Sequence, residues 1–408
     1  MFHRVSATAA LVVALGAGAS VTSAQETRAG LLEQQRATKA AALESYKPGK
    51  LEKAAIWYEE HDVLAKLAPH NGFYAQYGFQ WKPVGSGVGF GAGYRHDLFD
   101  RTARINLGGG ITFRNYQMLQ ADFSLPYLAD ERVELGVYAV YRHNPQEDFW
   151  GIGLDTVDEN RTSFTADYTD FQARAIGRPL PWLVGAARFG RLAGSIESGT
   201  DSRYPSTEEL FTDESAPGLL EQPDFNYVEL MGAIDYRDQE DNARAGGYYA
   251  LRWRKYSDLD LDSYSFREMD AHLQQFFPIF DKKRVIAAQA RLLSASPDDG
   301  QVVPFYFKPT VGGSTSLRAY DDYRFRDDTG LYLNLEYRWE VFSGLDMALF
   351  SDWGTIAPEL EKLSASNLKN GYGIGFRFNT YKSVWWRIDI GLGGDEGTHY
   401  WFKWSKAF

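Results

Sequence analysis

Three charged side chains, Arg318, Glu336 and Asp352, stand out by their type and surroundings. A guanidinium is always charged, and its planar fork of N–H donors meets a carboxylate at two points. An arginine between two acids therefore makes an anchor rather than a reaction centre. Arg318 lies in a glycine-rich stretch, Val311-Gly312-Gly313-Ser314-Thr315-Ser316-Leu317-Arg318-Ala319-Tyr320. Glu336 and Arg338 belong to Asn334-Leu335-Glu336-Tyr337-Arg338, and Asp352 to Phe350-Ser351-Asp352-Trp353-Gly354. The pattern leaves two readings of Arg318: a solvated charge on an exposed loop, or a cation folded back onto the two carboxylates.

Other reactive chemistry is sparse. Ser314 lacks the glycine spacing of a Gly-x-Ser-x-Gly elbow, and no histidine stands near it in sequence to activate it. His272, among Glu268, Asp270 and Gln274, reads as a polar lining residue rather than a general base. The acidic stretch Thr207–Glu221 has the carboxylates of a cation site, but such groups on a solvated loop seldom hold a metal. The chain has no cysteine, which removes disulfides, thiolate metal sites and cysteine nucleophiles together. The expectation is a non-enzyme with no cofactor and no metal. A net charge of −11 also argues against nucleic acid as a partner, because neutralising phosphates takes clustered Lys and Arg.

The elements that must position these residues alternate with period two. Leu331, Leu333, Leu335, Tyr337 and Trp339 share one face, and Tyr332, Asn334, Glu336, Arg338 and Glu340 the other. Tyr372, Ile374, Phe376 and Phe378 alternate with Gly373, Gly375, Arg377 and Asn379. Trp386, Ile388, Ile390 and Leu392 alternate with Arg387, Asp389 and Gly391. About sixteen such strands run from 73–82 to 398–408, each near the ~10 residues that a tilted membrane-spanning strand needs. Long connections at 144–161, 195–224, 295–328 and 354–370 each follow an odd-numbered strand, whereas connections after even-numbered strands are short. A barrel with both ends in the periplasm has this parity, long loops outside and short turns inside. Asn144–Gly153 reads as the opening of the third external loop. In the last strand Tyr400, Phe402, Trp404 and the final residue Phe408 share a face, so Phe408 is expected to act as an assembly signal.

The amino terminus reads as an export signal over residues 1–24: a polar start, an apolar run from Ala7 to Ala19, then small residues before Gln25. Residues 25–72 are expected to form a helical periplasmic or plug segment, and residues 73–408 a closed antiparallel transmembrane β-barrel, an all-β fold. Aromatics at 15% with 39 glycines suit that class, in which every second residue faces the interior and mean hydropathy looks watery.

Three segments in this order and spacing, Gly312–Tyr320, Asn334–Arg338 and Phe350–Gly354, resemble the bacterial surface-antigen superfamily of outer-membrane insertases and translocases, the BamA/TamA type. The resemblance is most specific over residues 305–408. It implies that Gly312, Gly313, Leu317, Arg318 and Tyr320 form the inward tip of the sixth external loop. It also implies that Glu336 and Arg338 sit on the following strand, that Phe350, Asp352 and Gly354 sit on the next, and that Arg318 pairs with Glu336 and Asp352 in the lumen. Ala319 departs from the family, which usually has glycine there. Long members of the superfamily carry periplasmic POTRA domains; residues 25–72 are too short for one, so the expectation is a short form. The implied setting is the outer-membrane bilayer, with barrel assembly machinery as a partner during biogenesis and client proteins or lipids inserted or translocated. A solute-conducting pore and a structural or adhesive surface protein are the competing readings.

Overall fold

The computed structural model describes residues 53, 71–77, 86–379, 383–403 and 408. The expected signal peptide and all of the expected N-terminal helical segment except Lys53 and Asn71–Gly72 lie outside the described residues.

Sixteen strands form one sheet in sequence order, each antiparallel to the next. They are β1 Gly72–Tyr77, β2 Gly89–Leu98, β3 Ala103–Thr112, β4 Gln117–Tyr127, β5 Val133–Phe149, β6 Thr162–Leu180, β7 Leu183–Ser198 and β8 Phe225–Asp235. The remainder are β9 Gly246–Asp258, β10 Phe266–Ile279, β11 Arg284–Pro297, β12 Thr329–Phe342, β13 Leu345–Ala357, β14 Lys369–Asn379, β15 Val384–Leu392 and β16 His399–Lys403. Each falls on one of the expected strands. A two-stranded ribbon, Thr310–Val311 with Phe325–Arg326, lies inside the β11–β12 loop.

The faces are inverted relative to a protein folded in water. Glu229, Glu336, Asp352, Arg387 and Asp389 are fully buried, while Phe171, Phe189, Leu230 and Leu349 are more than half exposed. Water would penalise both arrangements, by leaving a wide apolar surface wet and by drying charges. A hydrocarbon surround with a polar interior favours both. Among the described residues no helix is long and apolar enough to cross a membrane, which says nothing about strands.

Two departures come from residues that parity cannot see. β5 continues through Pro145 to Phe149, so the first half of the Asn144–Gly153 segment is strand rather than loop. A bulge between Asn144 and Glu147 absorbs Pro145, which has no N–H to give the ladder. Pro145 still accepts a hydrogen bond at its carbonyl from the Thr200 N–H, at 3.0 Å. The β8–β9 connection, residues 236–245, is long for its parity. It reaches across the polar side of the sheet: Asp241 bridges to Ser383 beside β15, and Arg244 Nη2 donates to Asp346 Oδ2 at the start of β13 at 2.6 Å. The sheet therefore curls about its polar face, bringing elements far apart in strand order into contact.

Candidate functional site

The β11–β12 loop folds onto the polar face of β12–β15. Its tip turns on two glycines, Gly312 at φ 132° and Gly313 at φ 89°. Side chains rarely adopt such angles, and at Gly313 a Cβ would also lie 1.9 Å from Asp322 Oδ1. The Gly313 N–H sits 3.1 Å from the carbonyls of both Leu317 and Tyr320, and Ser316 Oγ donates to the Gly312 carbonyl at 2.9 Å. Leu317, Ala319 and Tyr320 bury against Val311, Phe325, Tyr332 and Ile356. Ala319 keeps an ordinary backbone angle, since the left-handed turn falls on the two glycines before it. Alanine is thus tolerated where the family has glycine.

Arg318 points inward and is 2% exposed. Its backbone N–H and Nε reach Asp352 Oδ2 at 3.1 and 2.8 Å, and Nη2 reaches Asp352 Oδ1 at 2.7 Å. Nη1 donates to Glu336 Oε1. The guanidinium carbon lies 3.5 Å from the centroid of the Phe350 ring, which gives the cation an apolar, π-rich floor. The strand register makes this geometry possible. Asn334 pairs across from Asp352 and Glu336 across from Phe350, so residues two apart on each strand present all four side chains to one side. Gly354 lets the loop approach, because a Cβ there would lie 2.6 Å from Val311 Cγ1.

The structure brings together every residue expected in the loop and strand motifs and adds more. Arg338 Nε donates to Glu336 Oε2 at 2.6 Å. Arg377 joins Glu336 Oε1 at 3.0 Å to Asp389 Oδ1 at 2.5 Å. Arg387 Nη2 donates to the Ser314 carbonyl at 3.1 Å, and Trp401 Nε1 to the Arg318 carbonyl at 2.8 Å. Asn334 Nδ2 ties Asp352 Oδ1 to the Ser316 carbonyl, at 2.7 and 2.6 Å. Alternation places Arg377, Arg387 and Asp389 on the polar face but does not join them to the loop. Trp401 had no signal beyond its position on the last strand.

The long connections brace the loop from one end. The Gly153 N–H donates to the Arg326 carbonyl at 2.9 Å, and Arg324 Nη1 and Nη2 grip Thr156 Oγ1 and O at 2.7 Å each. Arg161 spans Asp148 Oδ2 and Asp321 Oδ2 at 3.0 and 2.7 Å. Phe305 packs on Phe149 and Phe164 with ring centroids 4.8 and 5.0 Å apart. Within the loop, burial raises the Asp322 carboxyl to about 6. His272 Nε2 lies 2.8 Å from Gln289 Oε1 within the polar lining. Among the described residues, no group of three or more His, Cys, Asp or Glu is placed to hold a metal ion.

Phe408 departs from its expected position. Tyr400 and Phe402 are exposed, but Phe408 is buried against Phe276 with Arg338 over its ring. Packing of its ring on Phe276, Val285 and Ala287 places it there, a long-range contact that strand alternation does not see.

Residues 98–381 match the Omp85 superfamily domain. Among solved structures, BamA from Haemophilus ducreyi lacking POTRA domains 1-3 superposes with a TM-score of 0.61 at 14% identity, over 81% of this chain and 69% of that one. CdiB from Escherichia coli superposes with a TM-score of 0.52 at 12% identity, over 82% of this chain and 62% of that one. At such identities the likeness is one of fold. No curated protein matches the chain.

Proposed function

As the chain belongs to the Omp85 superfamily and is an outer-membrane β-barrel, we propose that it assists the insertion or translocation of client proteins at the outer membrane without catalysing a covalent reaction. In this reading residues 1–24 are the export signal, residues 73–408 close into a barrel, and both ends face the periplasm. Closure fits the physics of a sheet in lipid, where an open edge would leave its N–H and C=O groups unpaired. The observation that carries the reading is the buried seat of Arg318 on Asp352 and Glu336. It ties the β11–β12 loop to β12–β15, and in this reading that external loop fills the barrel where solutes would pass. That packed interior is why we prefer an insertase to an open pore.

The test is reconstitution. Purified protein in liposomes is mixed with a urea-denatured outer-membrane barrel, and the folded client is measured by its heat-modifiable gel band. Client folding well above that in empty liposomes is expected, with a lower yield for Arg318→Ala at equal barrel content. Client folding no faster than in empty liposomes, together with large steady conductance steps from the intact protein in planar bilayers, would overturn the proposal in favour of a pore.

A further inference from the structure

The β8–β9 connection, residues 236–245, is a preformed hairpin that turns into the interior. The other connections after even-numbered strands take two to five residues, so a reversal of direction does not need this length. The β8–β9 ladder runs on past both strands, with the Tyr236 N–H on the Gly247 carbonyl and the Asp238 N–H on the Ala245 carbonyl, each at 3.0 Å. Gly246 interrupts the extended course at φ 92°, where a Cβ would lie 2.1 Å from the Tyr236 carbonyl oxygen, and so bends the hairpin. Past the bend the Asp238 carboxylate closes the tip. Its Oδ1 accepts the N–H groups of Gln239, Arg244 and Ala245 at 3.0, 2.9 and 3.1 Å, and its Oδ2 accepts from Lys282 Nζ at 2.8 Å. A free periplasmic turn would have a wet tip, yet Asn242 and Ala243 are buried. Ala243 packs against Phe276, Val285 and Ala287, and Ala287 pairs with Glu336 on the polar face.

The tip then reaches the far wall. Arg244 Nη1 donates to the Lys282 carbonyl at 2.9 Å and Nη2 to Asp346 Oδ2 at 2.6 Å, an ion pair with side-chain exposures of only 12% and 5%. Beyond it Asp241 bridges to Ser383 ahead of β15. β15 lies six strands on from β9, and in a closed circuit of sixteen, eight would be diametrically opposite. The hairpin thus spans the interior almost from wall to wall. It does so at its own level. Asp346 pairs with Glu340 beside the short β12–β13 turn, whereas the Arg318 loop meets Glu336, one turn of the ladder further from that end.

We propose that the β8–β9 hairpin is a gate that shuts the periplasmic end of the interior independently of the β11–β12 loop, hinged at Gly246 and latched by Arg244 on Asp346. The bonds that shape the hairpin run through Asp238 and move with it, while its hold on the far wall is one ion pair and one bridge. Loss of the latch therefore frees the tip as a unit, a hinge motion of a rigid element. Two closures in series keep the membrane sealed while the external loop moves. The gate rests on the closed barrel of the proposed function and not on its clients.

The experiment records single-channel conductance of the full chain in planar bilayers, with folding verified by heat-modifiability. Deleting loop residues 298–327 should leave the protein closed, with brief openings only. Adding Arg244→Ala should raise the open time at least about ten-fold, because breaking a largely dry ion pair costs well over the energy of such a shift. In the cysteine-free chain, adding Asp241→Cys with Ser383→Cys should close that variant on oxidation and reopen it on reduction. If the loop deletion does not fold, Arg318→Ala serves in its place. Steady large steps from the loop deletion with Arg244 intact would overturn the gate and leave the barrel standing. A folded protein lacking both loop and latch that never conducts would overturn the gate and count against the closed barrel as well.

Discussion

Removing Arg318 should harm its two carboxylate partners unequally. Asp352 receives hydrogen bonds from the Arg318 backbone N–H, Nε and Nη2 and a fourth from Asn334, so three of its four come from one residue. Glu336 receives one from Arg318 and retains Arg338 and Arg377. All three partners are essentially dry, with side-chain exposures of 2% for Arg318 and 0% for Glu336 and Asp352. Breaking a buried pair costs roughly 3–5 kcal/mol, mostly because a charge is left uncompensated. Arg318→Ala should therefore cost about that much, with the strain on Asp352. Asp352→Asn in the same background should recover part of it, while Glu336→Gln should not. The double-mutant cycle with Asp352→Asn should show coupling of about 2 kcal/mol or more, against less than about 1 kcal/mol for the cycle with Glu336→Gln, which would strip the acid from two remaining arginines. Arg318→Lys should fall well short of wild type, because an ammonium cannot make two parallel bonds to Asp352 and also reach Glu336. The assay is urea unfolding in lipid vesicles followed by heat-modifiability, with protease cleavage of the β11–β12 loop as a local readout. Additive effects with Asp352→Asn, or equal coupling for the two acids, would refute the reasoning.

Three further outcomes follow from the geometry. At Gly391 a Cβ would lie 2.0 Å from the Arg318 carbonyl, whereas at Gly232 it would meet nothing within 4 Å, so Gly391→Ala should destabilise by about 1–3 kcal/mol and Gly232→Ala should be neutral in the same unfolding assay. The Asp322 carboxyl is raised by burial to about 6 from 3.8, so its contribution to loop stability is fully present below pH ~4 and lost as pH rises through ~6. Asp322→Asn should accordingly protect the loop from protease at pH 7.5, by an amount on the order of 2 kcal/mol, and make little difference at pH 4. In the cysteine-free chain, Asp299→Cys should label with a membrane-impermeant maleimide on intact cells and Asp130→Cys only after permeabilisation; labelling of Asp130→Cys alone would reverse the proposed orientation.

The sixteen strands were readable from sequence because strand parity is local. Whether Leu335 or Glu336 faces lipid is decided by its own side chain and its neighbours two residues away, and the two surrounds differ sharply in polarity. The same rule placed Glu336, Asp352, Arg377, Arg387 and Asp389 on one face. Glycine pairs such as Gly312-Gly313 announce a tight turn through backbone sterics alone, and the family resemblance implied that this turn meets β12 and β13. What parity could not supply is distance across the interior. That Arg377 reaches Glu336, that Trp401 holds the Arg318 carbonyl and that Asp241 touches Ser383 depend on how a curled sheet brings far-separated strands face to face. Phe408 shows the limit most clearly. Alternation put it on the face of Tyr400 and Phe402, but burial among Phe276, Val285 and Ala287 under the Arg338 cation decides its place. Local chemistry chose which side chains are polar and which turns are tight; only long-range packing chose which charges meet.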